Sequence, residues 1–386
     1  MNQQSRNNKN KEQENLKNIT CNGFNIEETS DKNVDLAFLS LKIALKAYFS
    51  TYHCYDCGQF YFRDLITDDS HKICDVFGGK LILSKYCEAY TECIIHFHHF
   101  AELVLKNFLR HDNPLLVDYP ANDKNKNATV LKYKMIKGEL SLNELSFEDE
   151  NHWKTISFSE ALQALLDLIQ ADKESKIKND YYQKLSFIVP YKAILEKLNS
   201  LRNKVWHRGL YILNYEALDE VIGRYILRFV DEVINHKNYL GHKDLWSYEE
   251  LDCGIEPIKE IINHFQEVKE GKSYNIEKIA FLKELGRASY NVNIPWLQHQ
   301  SSIENKAIIV TNGDYSRICR CPVCGVNSLI IYIEEDYERN PYSGEILRVL
   351  SSYPAHVRCE CCSFELHHEI GNASEYGIEG IRDFWV

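Results

Sequence analysis

Four cysteines come in two pairs of the same form, Cys321-Pro-Val-Cys324-Gly325 and Cys359-Glu-Cys-Cys362-Ser363. Two thiolates three positions apart can close on one ion, and glycine after the second ligand permits the tight turn this requires. Two such pairs make the donor set of a closed tetrahedral zinc site, with no position left for water or substrate. Cys321, Cys324, Cys359 and Cys362 are therefore expected to hold a structural zinc as the cofactor, away from any catalysis. Cys319 and Cys361 flank the pairs, and spacing leaves open whether either replaces a neighbour. A looser set, Cys54-Tyr-Asp-Cys57 with His71-Lys-Ile-Cys74, is a candidate second metal site.

A different chemistry is open to Arg202 and His207, the ends of the only R-x-x-x-x-H in the chain. Histidine titrates near neutrality and can move a proton in either direction, and arginine offers a permanently charged planar fork to a phosphate. Ile194, Leu198, Leu201 and Val205 form the buried stripe of an amphipathic helix, which leaves Arg202, Asn203 and His207 off it. Asn203 and His207 share a face. Arg202 and His207 diverge by about 140°, because five steps of ~100° overshoot one turn. They meet at one phosphate only if the helix end unwinds near Gly209 or a second subunit supplies the complement. Lys192, Lys197, Lys204 and Arg208 add local basic charge, and Trp206 can stack on a base or pack at a dimer interface. That patch matters because the chain carries a net charge of −11, which disfavours indiscriminate binding to nucleic acid.

The elements that must position these groups follow from patterning. At 386 residues and 44% hydrophobic content the chain should form two or three globular units. Its 13 cysteines, without a charged-then-apolar leader or an apolar run approaching ~20 residues, fit thiols in a reducing cytoplasm. Residues 1–33 read as a disordered polar arm, and 34–80 as a helix from Leu36 followed by a cysteine-containing loop. Helical patterns run over about 81–109, 159–172, 182–206 and 217–235, with a polar insertion at 112–152. Ser157 or Ser159 can cap the second, and Gly209 fits just past the third. On Leu81 to Leu109, His98, Glu102 and Lys106 share one face; Glu92 with His96, His98 and His99 is a weaker metal candidate. Residues 241–304 read as a helical connector. Beyond 305 the apolar runs Ala307–Val310, Leu329–Tyr332 and Ile346–Val349 read as strands of a small β-domain.

Two resemblances follow from these residues. The double knuckle is similar to the zinc-ribbon family over about 315–370, which implies a recognition or structural module. The R-x-x-x-x-H helix, the helix after it and the earlier helix with Glu102 resemble the HEPN family of α-helical nucleases and nucleotide-binding proteins, over about 81–238. The fold class expected is thus mainly α, a HEPN-like bundle at 81–240 followed by a zinc-ribbon domain at 305–386. The HEPN resemblance implies a metal-independent endoribonuclease. In it Arg202 and His207 are catalytic, Asn203 orients His207, Glu102 orients Arg202, and Lys204, Arg208 and Trp206 contact RNA. It also implies a homodimer, since one motif occurs, and a prokaryotic toxin or antiviral defence effector restrained by a protein partner or inhibitor. A toxin subgroup carries Tyr two positions after the histidine, where this chain has Gly209. The competing expectation is a non-catalytic nucleotide-, RNA- or protein-binding adaptor that docks through the ribbon.

Overall fold

A computed structural model describes residues 32–55, 79–120, 126–140, 153–177, 179–208, 211–292, 299–311, 316–367 and 370–385. The polar arm at 1–33 lies almost wholly outside these, as do Cys57, His71 and Cys74 of the second metal candidate and Gly209.

Two long helices found the body. α1 (Lys32–Ser50) buries Phe38, Leu41, Leu45 and Tyr48 along one stripe, and packs against α2 (Gly79–Asp112), which answers with Tyr90, Phe97, Val104 and Phe108. Pro114 follows α2, whose Asp112 is the last helical residue. The segment expected to be a plain insertion carries structure: β1 (Asp118–Pro120) and α3 (Lys126–Ile136) lie within it, and β2 (Trp153–Thr155) closes it by pairing antiparallel with β1. Arg110 and Thr155 both bind Asp118, which ties this small ribbon to the end of α2.

α4 (Phe158–Lys173) starts on a capping box between Ser157 and Glu160. The helix expected over 182–206 is broken. A single turn, α5 (Asp180–Gln183), and a 3-10 segment (Ser186–Tyr191) containing Pro190 precede α6 (Lys192–Arg208). Proline has no N–H to donate and its ring crowds the preceding turn, so the α-ladder restarts after it. α6 buries Leu195, Leu198 and Leu201 and keeps its helical form through Arg208.

The next run joins α7 (Tyr215–Asp219), a π-helical stretch (Glu220–Ile226) and α8 (Leu227–Ile234). Gly223 sits where a Cβ would meet the Phe265 ring at 2.3 Å, so glycine lets the chain cross here. After the turn α9 (Lys243–Trp246), α10 (Pro257–Lys269) supplies that phenylalanine. α11 (Ile276–Ser289) is buried along most of its length and packs against α1 and the C-terminal sheet.

Ala307–Val310, expected to be a strand, belongs to α12 (Gln300–Thr311). A four-residue apolar run cannot distinguish strand from helix by periodicity, and here Ile303 and Ala307 face inward while Ile309 is exposed. The sheet begins later, as β3 (Arg317–Cys319), β4 (Leu329–Arg339), β5 (Ile346–Cys359) and β6 (Glu365–His367), antiparallel in that order. The chain is thus mainly helical with a small antiparallel C-terminal sheet. One continuous cluster of buried side chains runs from α1 and α2 through α11 into Leu329, Val357 and Phe364 of the sheet region. Among the described residues, no helix is long and apolar enough to cross a membrane.

Candidate functional site

The solvent side of α6 carries the first site. Glu196, Asn199, Ser200, Asn203, Lys204 and His207 line an open groove of about 550 Å3. They share it because residues three and four apart stack along one helix face. Asn203 and His207 are therefore brought together, as their spacing predicts. Arg202 lies on the adjoining face, half-buried, where Nη1 donates to Asn203 Oδ1 at 2.9 Å and the guanidinium sits 5.9 Å from the Trp206 ring. Trp206 is 64% exposed, and Lys204 Nζ lies 4.0 Å from the exposed Tyr211 ring, so the end of α6 is an aromatic and basic surface.

The acidic partner differs from expectation. Glu102 accepts from Lys106 Nζ at 2.5 Å and stands 3.9 Å from His98 Nδ1; among the described residues no hydrogen bond joins it to Arg202. Asn203 likewise gives its amide oxygen to Arg202 rather than to His207. The link from α2 to α6 is made by residues the motif did not single out. His98 Nε2 donates to Asn199 Oδ1 at 2.9 Å, and Asn199 Nδ2 donates to Ser159 Oγ at 3.1 Å. Burial lowers the His98 imidazole to about 4, and the Arg202 charge adds to that against Glu102 and Asn199. His98 is neutral near pH 7, with its proton on Nε2 toward Asn199. The signal for Asn199 was present as the polar stripe 196, 199, 200, 203, 207, four steps before Asn203. His96 and His99 are lowered by partial burial as well; His96 is half-buried, and the more exposed His99 meets Ser40 Oγ through Nδ1 at 2.7 Å.

The second site is the thiol cluster. The four sulfur ligands lie within 4.8 Å of one another, and Cys319 and Cys361 are outside the set. Cys321 and Cys362 sulfurs are 3.6 Å apart, Cys324 and Cys359 3.7 Å apart. A tetrahedral ion with bonds of ~2.3 Å needs about 3.8 Å between its thiolates, so the donor set fits zinc. The two knuckles share one backbone form. Cys321 donates to Val326 O and accepts from Gly325 N, as Cys359 donates to Phe364 O and accepts from Ser363 N. Gly325 has φ +73°, and Ser363, in the corresponding place, has φ +57°. Cys359 accepts a hydrogen bond from the Cys361 amide at 3.4 Å and contacts Ser328 Oγ at 3.3 Å, two contacts that favour its thiolate.

Each knuckle is bound to the helical body by an arginine. Arg320 forks onto Asp252, whose own amide donates to Val323 O, while a Cβ at Gly325 would meet Asp252 Oδ1 at 2.7 Å. Arg287 of α11 donates to the Ser363 carbonyl and hydroxyl oxygens and pairs with the fully buried Glu284. Glu284 also lies 2.7 Å from His53 Nε2 and accepts from the Glu365 amide. Burial opposes its charge, but His53 and Arg287 together outweigh that and hold the carboxyl below its usual range.

One residue earlier, Lys283 forms a fully buried pair with Asp219 at 2.7 Å, with Tyr274 donating to the same carboxylate and the Lys283 ammonium over the Tyr215 and Tyr48 rings. Comparison with models of known protein families, with curated proteins and with solved structures gives no match.

Proposed function

We propose that this chain is a metal-independent endoribonuclease of HEPN type, working as a homodimer with the α6 groove as its RNA cleft. The observation that carries the reading is an exposed His207 sharing one open groove with Asn203 and Lys204, with Arg202 on the neighbouring face. In the reaction, the RNA 2′-oxygen attacks the adjacent phosphorus as its proton passes to a base, and the bond from phosphorus to the 5′-oxygen breaks as that oxygen gains a proton. The products are a 2′,3′-cyclic phosphate and a free 5′-hydroxyl. His207 handles the protons, a role worth about 10² to 10⁴ in rate, and Arg202 holds the charge on the pentacoordinate phosphate.

Because α6 stays helical through Arg208, Arg202 and His207 of one chain remain on divergent faces. Two copies facing across α6 would complete the cleft, the arginine of one opposite the histidine of the other. Lys204, Arg208 and Trp206 supply phosphate and base contacts around it. The thiol centre is then a zinc scaffold or recognition module, and a role as a toxin or antiviral defence effector follows from the HEPN resemblance.

The test is RNA cleavage by the purified chain against His207→Ala and Arg202→Ala. Cyclic-phosphate ends, persistence in EDTA and loss in both variants are expected. No cleavage by wild type, or full activity in either variant, leaves the nucleotide-, RNA- or protein-binding adaptor as the reading.

A further inference from the structure

The groove has two chemically different ends. Lys204 and His207 give one end cationic and proton-transferring groups suited to phosphate. Asn199 and Ser200, about two helical turns back and so displaced by roughly 12 Å along the axis from His207, give the other neutral hydrogen-bonding groups, beside the Glu196 carboxylate, which lies 3.9 Å from Lys192 Nζ. Asn199 is also the one groove residue tied from behind to two other helices. Its oxygen takes a hydrogen bond from His98, 3% exposed, and its nitrogen gives one to Ser159. An asparagine amide has two acceptor sites and two N–H groups, so one of each remains, with the orientation set by the protein before any ligand arrives.

Resting on the nuclease reading above, we propose that Asn199, oriented by His98 and Ser159 and assisted by Ser200, is a base-reading subsite. It takes the edge of an unpaired nucleobase in RNA whose phosphate lies at Lys204 and His207. An adjacent donor and acceptor on a rigid amide match a base edge that offers the complementary pair, which is how asparagine discriminates between bases. Phosphate contacts at Lys204 carry affinity without that discrimination.

The experiment is fluorescence anisotropy of the full chain with short homopolymer RNAs of each base, 2′-O-methylated to block cleavage. Wild type is expected to rank the four bases. Asn199→Ala should compress that ranking by about tenfold for the preferred base, and Lys204→Ala should weaken all four alike and reduce their salt dependence. Asn199→Asp, close in shape but with an acceptor in place of the N–H donor, should change which base ranks first. Equal binding of the four bases by wild type, parallel weakening of all four by Asn199→Ala, or an unchanged ranking in Asn199→Asp overturns the proposal. Cleavage of unmodified RNA that depends on His207 is read separately. Cutting without base ranking removes the subsite and leaves the nuclease, whereas ranking without cutting removes the nuclease and leaves the subsite.

Discussion

Arg287 on α11 donates to the backbone oxygen of Ser363, the residue that follows Cys362, the last thiol of the cluster, in the position glycine holds in the first knuckle. The same nitrogen, Nη2, together with Nε, holds Glu284, so one guanidinium joins the thiol cluster to a buried carboxylate in the helical body. Arg287→Ala would remove the hydrogen-bonded partner of a buried charge, which costs about 3 to 5 kcal/mol. Thermal unfolding should show that loss, and zinc affinity should fall with it. Unchanged zinc affinity would mean that the knuckle closes independently of α11.

The ligand set predicts one zinc per chain. Cys324→Ser and Cys362→Ser should each lose bound metal by elemental analysis, whereas Cys319→Ser and Cys361→Ser should keep it. Full zinc retention in Cys362→Ser would assign its place to Cys361.

Gly325 is constrained twice, by a left-handed φ of +73° and by the carboxylate of Asp252, which a Cβ there would meet at 2.7 Å. Gly325→Ala should destabilise by more than about 1 kcal/mol and slow zinc uptake. Asp252→Ala alone should be milder, because its bond to Arg320 lies at the surface.

Lys283 and Asp219 form an ion pair in a site closed to water. Removing either partner leaves an uncompensated buried charge, so Lys283→Met or Asp219→Asn should cost about 3 to 5 kcal/mol. The double variant Lys283→Met/Asp219→Leu should recover much of this in denaturant melts. Additive losses would place the stabilisation in the aromatic cage instead of the pair.

His98 and His264 are both lowered from 6.5 to about 4, chiefly by burial. A group whose folded value lies below its unfolded value takes its proton in the unfolded chain first. Stability is therefore complete above pH 6.5 and declines as pH falls toward 4, by on the order of 3 kcal/mol for the His98 imidazole and by less for His264, which solvent screens more. Melting temperature against pH should fall less steeply in His98→Gln than in wild type; equal slopes would remove His98 as a source.

What the sequence determined by itself was local. The knuckles are legible because a metal site is encoded in the spacing of its ligands, and the α6 face is legible because residues 199, 203 and 207 follow the helical repeat. The start of α4 at Ser157 was equally open to reading, since a cap and its box lie within four residues. Tertiary structure decided the rest. The run Ala307–Val310 became helix because no neighbouring strand pairs with it among the described residues and its inward positions suit a helix on the sheet. The connector at 241–304 holds α11, whose Lys283 and Glu284 are fully buried. Lys283 is tolerated because Asp219, far away in sequence, arrives beside it, and Glu284 because the distant His53 joins the neighbouring Arg287 on the same helix. The same holds for Asn199. Its spacing placed it in the stripe, but its fixed amide depends on His98, 101 residues earlier, and on Ser159, 40 residues earlier. Short-range spacing encodes which groups share a face; the partners that make burial affordable are chosen only when distant helices pack.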